Sequence, residues 1–152
     1  MLTPSNTTFI SVGDGPEFEK MVIYAKEHNL DGKLKFIGSS TDAEKIMENN
    51  FDIFLLTSYK EGLPNAIMEA MSLGIPVVST NVGGVKELIK HNETGFLAAS
   101  NDLNGLVKYC SQLIKSSSLR KEIGGRGRSF INNKFSSEKM VDEFRQIFNN
   151  FI

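Results

Sequence analysis

Apolar positions along the chain change their period repeatedly, and each change marks an element. Residues 7–12 (TTFISV) read as a strand, whereas 17–28 place Phe18, Met21, Val22 and Ala25 on one face at helical spacing. A second strand is expected at 34–37 and a short helix at 42–49, capped by Thr41 or Asp42. The stretch 53–57 (IFLLT) is a continuous apolar run, as suits a parallel strand covered on both faces. A helix at 65–73, a strand at 76–79, a short helix at 85–90 and a strand at 95–98 follow. Three helical stretches end the chain, at 102–116, 118–131 and 136–150, punctuated by Ser116-Ser117-Ser118 and Gly124-Gly125-Arg126-Gly127.

This alternation predicts an α/β protein: a Rossmann-like, doubly wound parallel sheet of about five strands with a helical C-terminal tail. We expect one domain over residues 1–152, with its core at about 7–131 and a terminal helix at about 136–150. That last helix gathers Met140, Val141, Phe144, Ile147, Phe148 and Phe151 on one face. The stripe must fold onto this domain, meet a partner chain, including a second copy, or face water. In open sheets of this kind ligands bind beyond the carboxyl ends of the strands, so functional residues should follow strands.

Composition narrows the classes. The chain has 152 residues, 40% hydrophobic and 23% charged, with a formal net charge of -1. That balance provides no global positive field for nucleic acid, so an anionic ligand must be held locally. Cys110 is the single cysteine and sits at helical spacing among apolar residues, so it is expected to be a small buried hydrophobe. No apolar run approaches the roughly 20 residues of a membrane span, and the start MLTPSNTT lacks the features of a signal peptide. A cytoplasmic protein is expected. His28 and His91 read as isolated surface residues, Arg126 and Arg128 as solvated, and no His, Cys and carboxylate cluster has metal-ligand spacing.

The densest chemistry follows the third strand, in Glu61-Gly62-Leu63-Pro64-Asn65-Ala66-Ile67-Met68-Glu69. Pro64 suits the first helical position, and Gly62 lets backbone approach a ligand closely. The free N–H groups of the first turn, together with the helix dipole, form an anion site fit for a diphosphate. Glu69 lies off the apolar face of Ile67, Ala70, Met71 and Gly74, and its side chain leans back toward the helix start. A carboxylate there accepts from two neighbouring hydroxyls, such as those of a ribose. Glu61, in the loop, reaches a second set. On spacing alone, two solvated glutamates near a helix N-terminus are the leading reading. Gly13-Asp14-Gly15-Pro16 follows the first strand, but Phe18 stands where a dinucleotide fingerprint needs its third glycine. It reads as a tight turn near the cleft. Gly83-Gly84, before the helix carrying Glu87, reads either as a turn or as the rim of a sugar pocket.

The stretch EGLPNAIMEAMSLGIPVVSTNVGGVKELIKHNETGFLA resembles the C-terminal domain of glycosyltransferase family 4, which has the GT-B fold. FISVGDGP and LKFIG match two of its strand motifs, and the resemblance covers about residues 7–150. It implies that Glu69 bonds the donor ribose and that Glu61 contacts and positions the transferred sugar, as the catalytic member of the E-x7-E pair. The backbone of Gly62, Leu63, Pro64 and Asn65 touches sugar and phosphate. Ile37, Ser39 and Ser40 meet the base, and Gly13, Gly15, Gly83 and Gly84 line the cleft. The implied enzyme is a retaining hexosyltransferase with no metal and no cofactor. Its donor is a UDP- or GDP-linked sugar and its setting is cell-envelope polysaccharide assembly, the full-length enzyme lying at the inner face of the membrane.

The chain departs from the family in one region. The family's domain opens with one more strand, whose arginine and a following lysine grip the diphosphate, and the six residues before Thr7 contain neither. The acceptor-binding N-terminal domain is also expected to lie outside this chain, which would leave the chain alone inactive. A non-catalytic nucleotide-sugar-binding remnant and a sugar-nucleotide epimerase of the same architecture are the alternatives. With the opening strand gone, 7–12 is expected to pair directly with 53–57 and close the sheet in the order 2-1-3-4-5.

Overall fold

The computed structural model describes residues 7–30 and 32–149, the side chains of 137 and 138 excepted. Residues 1–6 and Phe151 of the apolar stripe therefore lie outside the described residues. The elements are β1 (Phe9–Val12), α1 (Phe18–Glu27), β2 (Leu34–Gly38), α2 (Ala43–Asn50), β3 (Phe54–Leu56) and α3 (Asn65–Ser72). They continue as β4 (Val77–Thr80), α4 (Val85–Leu88), β5 (Phe96–Ala98), α5 (Leu103–Lys115), α6 (Ser117–Lys134) and α7 (Ser137–Asn149). The order is the one the apolar periodicity predicts. Two compact units divide the chain, Met1–Ile46 and Met47–Ile152.

In the first unit β1 and β2 pair in parallel, Phe9 opposite Leu34 and Val12 opposite Gly38, with a register shift between Ser11 and Val12. The crossover helix α1 buries Ala25, and Phe18 meets Phe36 edge-on with ring centroids 5.7 Å apart. These contacts use part of the predicted face of Phe18, Met21, Val22 and Ala25; Met21 is exposed at 48%.

In the second unit β3, β4 and β5 form a parallel sheet with β4 central. All four β4 residues are buried, as expected of a strand covered on both faces. Alternation sends Val77 to one face, with Ile67, Ala70 and Met71 of α3 and Ile131 of α6. Val78 goes to the other, with Phe96, Leu106, Leu113 and Ile123. Helix α3 ends in a Schellman motif: the Ile75 N–H donates to the Ala70 carbonyl at 3.0 Å and the Gly74 N–H to the Met71 carbonyl at 2.9 Å. Gly74 has φ 77, which a side chain resists, and Pro76 then forbids further helix.

The predicted direct pairing of β1 with β3 does not form. Among the described residues β1 pairs with β2 and β3 with β4, giving a two-stranded and a three-stranded sheet. The expectation rested on the cost of burying unpaired backbone groups. Each strand instead pairs with the next strand in its own unit, β1 with β2 across α1 and β3 with β4 across α3, as a short crossover favours. Helix α7 shows its stripe to solvent: Met140, Val141, Phe144, Ile147 and Phe148 are all exposed.

Candidate functional site

The loop after β3 carries Glu61 and leads into α3. It is exposed at Tyr59, Lys60, Gly62 and Leu63, yet its backbone is tied down at two points. The Thr80 hydroxyl, at the buried end of β4, donates to the Ser58 carbonyl at 2.6 Å. The Gly84 N–H donates to the Gly62 carbonyl at 2.8 Å. Gly83 has φ 52, and a Cβ on it would fall on the Glu61 carbonyl. The Gly83-Gly84 segment therefore lies against the backbone of the Glu61 loop.

Pro64 is the N-cap of α3, one position before the first helical residue that the sequence suggested, with φ -74 and ψ 113. The extended ψ suits a cap, and no side chain caps this end. The Ile67 N–H turns back to the Pro64 carbonyl at 3.1 Å, while those of Asn65 and Ala66 have no acceptor among the described residues. Two unpaired donors and the positive end of the helix dipole thus face outward at the carboxyl side of the sheet.

Ile67, Ala70 and Met71 are fully buried, and Glu69 is exposed on the flank between them and solvent. Its carboxylate opens onto a cavity of about 600 Å3 that also takes in Asn65, Ser72 and Asn132, with Met68 and Phe135 as apolar wall. Neither the Glu61 nor the Glu69 carboxylate has a hydrogen-bond or ion-pair partner among the described residues. Both are therefore ready to accept from a ligand's hydroxyls.

The remaining sequence-derived candidates belong to the first unit. The Gly13 N–H donates to the Gly38 carbonyl at 2.8 Å, joining the loops that leave β1 and β2. Ile37 and Ser39 are exposed beside that junction. The Ser40 hydroxyl is engaged locally, accepting from the Asp42 N–H at 3.1 Å ahead of α2. The Gly15 N–H closes a turn on Asp14 Oδ1 at 2.7 Å, consistent with the tight turn expected there.

Three residues escaped the sequence reading; His28, expected to be isolated, has its Nδ1 2.8 Å from the Tyr24 carbonyl oxygen and its ring stacked on Tyr24 with centroids 3.9 Å apart. Thr80 reads only as the polar end of a strand, and its partner Ser58 is 22 residues away. His91 is exposed as expected but not isolated: its Nδ1 accepts from the Leu97 N–H at 3.0 Å, and its ring packs edge-on against Phe96 and Tyr109. A neutral Nδ1 is what that bond requires. Cys110 is half-buried beside the Val78 and Phe96 cluster, and burial pushes its thiol pKa up. Among the described residues no three His, Cys, Asp or Glu side chains are placed to hold a metal ion, and no helix is long and apolar enough to cross a membrane.

Residues 3–130 match the model of the family described as Glycosyl transferases group 1. The chain is 32% identical over 148 residues to N-acetyl-alpha-D-glucosaminyl L-malate synthase of Bacillus anthracis, covering 97% of this chain and 39% of that protein. It is 30% identical over 144 residues to the Escherichia coli UDP-Gal:alpha-D-GlcNAc-diphosphoundecaprenol alpha-1,3-galactosyltransferase, covering 94% of this chain and 37% of that protein. The chain thus spans about two fifths of the length of these curated relatives. Its fold superposes on Anabaena Alr3699/HepE, crystallised in complex with UDP, with a TM-score of 0.89 and 24% identity, covering 97% of this chain and 42% of the other. A family match across most of the sequence, relatives at this identity along nearly all of it and a shared GT-B fold lead to one conclusion: the chain belongs to the glycosyl transferases group 1 family.

Proposed function

We propose that this chain is the donor-binding part of a retaining glycosyltransferase that moves a sugar from a nucleotide-sugar to a glycan or lipid-linked acceptor. The observation that carries the reading is the conjunction at α3. Unpaired N–H groups of Asn65 and Ala66 and a free Glu69 carboxylate lie on one short helix, inside the stretch that matches the family. In this reading the donor diphosphate sits at the α3 N-terminus, met by the backbone of Gly62, Leu63, Pro64 and Asn65. Glu69 accepts from the ribose hydroxyls and Glu61 from those of the transferred sugar. Charge develops on the diphosphate as the glycosidic bond breaks, and preorganised amides stabilise it most at that moment.

The finer assignments rest on the family resemblance. They are retention of configuration, a hexosyl donor linked to UDP or GDP, chemistry without metal or cofactor, and base contacts from Ile37, Ser39 and Ser40 of the first unit. Cell-envelope polysaccharide assembly at the cytoplasmic face of the membrane is the setting that fits. The relatives are more than twice as long as this chain, and we assign acceptor binding to the portion of them that it does not span. Titration of nucleotide-sugars into the chain, followed at the amides of residues 61–66, tests the donor site. Shifts there support it, and shifts confined to the Gly13 loop overturn it.

A further inference from the structure

We infer that Thr80, Gly83 and Gly84 are positioning residues for Glu61: the segment between β4 and α4 is a seat that fixes the backbone of the Glu61 loop. The inference rests on the donor-binding reading of that loop and adds to it how the sugar-facing carboxylate is held.

The loop has little else to order it. Tyr59 is 80% exposed and Leu63 44% exposed, and no backbone hydrogen bond within residues 57–63 stabilises it among the described residues. An exposed loop of this kind pays ordering entropy whenever it binds, unless something orders it beforehand. The seat supplies that order from a rigid base. Thr80 is 1% exposed and pairs with Ala98 at the end of a fully buried strand. Its hydroxyl is buried and must find a partner, and the partner is the Ser58 carbonyl at the start of the loop. The second anchor falls directly after Glu61, where Gly84 donates to the Gly62 carbonyl.

Two absent side chains make that anchor feasible. A Cβ on Gly83 would strike the Glu61 carbonyl, and one on Gly84 would lie 2.7 Å from the Gly62 carbonyl oxygen. Valine at position 80 would fill the core as threonine does, so loss of the hydroxyl alone acts on the loop, whereas alanine at 83 would be strained by its positive φ as well as by the Glu61 carbonyl. Glu61 gains a fixed backbone while its carboxylate stays unpartnered among the described residues, which is what a preorganised contact needs.

The experiment compares wild type, Thr80→Val, Thr80→Ser, Gly83→Ala, Glu61→Gln and the double variant Glu61→Gln/Thr80→Val of the full chain. Affinities for UDP-glucose and for UDP, or for GDP-mannose and GDP if the chain prefers guanine, are measured by calorimetry. The ratio between sugar nucleotide and bare nucleotide isolates the sugar contact. Thr80→Val is expected to lower sugar-nucleotide affinity about 5- to 10-fold, on the scale of one lost neutral hydrogen bond, with bare-nucleotide affinity unchanged, and Gly83→Ala, whose Cβ meets the Glu61 carbonyl, to lower sugar-nucleotide affinity at least as much. Thr80→Ser should restore it, and Thr80→Val should add nothing in the Glu61→Gln background. Equal losses for sugar nucleotide and bare nucleotide, or additive effects in the double variant, would mean that the seat is merely structural. If the wild type binds neither sugar nucleotide, the functional reading fails first. The seat is then judged by 15N relaxation of Ser58–Gly62 in the free chain, where Thr80→Val and Gly83→Ala must raise loop mobility and unchanged mobility overturns it.

Discussion

Replacing Glu69 by Gln removes one charge and almost no volume, and the structure separates its expected effects on folding and on binding. The carboxylate is exposed and has no partner among the described residues, so its loss leaves no buried group there unsatisfied. Glu and Gln have nearly equal helix propensities. Glu69 is the fifth residue of α3, past the first turn where the dipole acts most strongly. Folding stability should therefore change by less than about 0.5 kcal/mol, as for other surface substitutions. Binding should change far more. A carboxylate accepting from ribose hydroxyls makes charge-assisted hydrogen bonds, and losing them costs about 1.5–3 kcal/mol, or roughly 10- to 150-fold in affinity. Calorimetric titration with the bare nucleotide, alongside a urea melt, measures both quantities on the same variant. Glu61→Gln should leave bare-nucleotide affinity unchanged and weaken only the sugar-bearing ligand. Unaltered nucleotide affinity in Glu69→Gln, or equal losses from both substitutions on the bare nucleotide, would refute the division of roles.

Further outcomes follow from the packing. Met71, fully buried between α3 and its surroundings, should cost about 2–5 kcal/mol when changed to Ala, read as a lowered urea midpoint. The Cys110 thiol, whose pKa burial raises, should react with a thiol reagent at pH 8 more slowly in the folded chain than in denaturant; equal rates would contradict its placement. The exposed apolar side of α7 should drive concentration-dependent self-association measurable by light scattering and relieved by Phe144→Glu with Phe148→Glu; a monomer at all concentrations argues against it.

What was legible in the sequence was what local spacing dictates. Helix α3 and strand β4 were visible because Ile67, Ala70 and Met71 repeat at helical spacing and because Gly74 and Pro76 stop the helix before an apolar run. Pro64 was displaced by one position because the N-cap and the first helical position both suit its fixed φ and missing N–H. The contacts of Thr80 and His91 were illegible for a different reason: they cross 22 residues to Ser58 and 6 and 18 residues to Leu97 and Tyr109. No periodicity records such distances. The failed β1–β3 pairing has the same origin, since which strands pair depends on the assembled fold. The roles of Glu61 and Glu69 were suggested by family resemblance, as spacing alone left them as solvated acids.

The central claim is that the start of α3 receives the donor, and amide chemical shifts during titration with UDP-, GDP- and ADP-linked sugars test it most directly. One of these donors should produce saturable shifts at Glu61, Gly62, Leu63, Asn65 and Ala66, and Glu69→Gln should weaken them. Shifts confined to the Gly13 loop, or none at these five amides with every donor, would contradict the account.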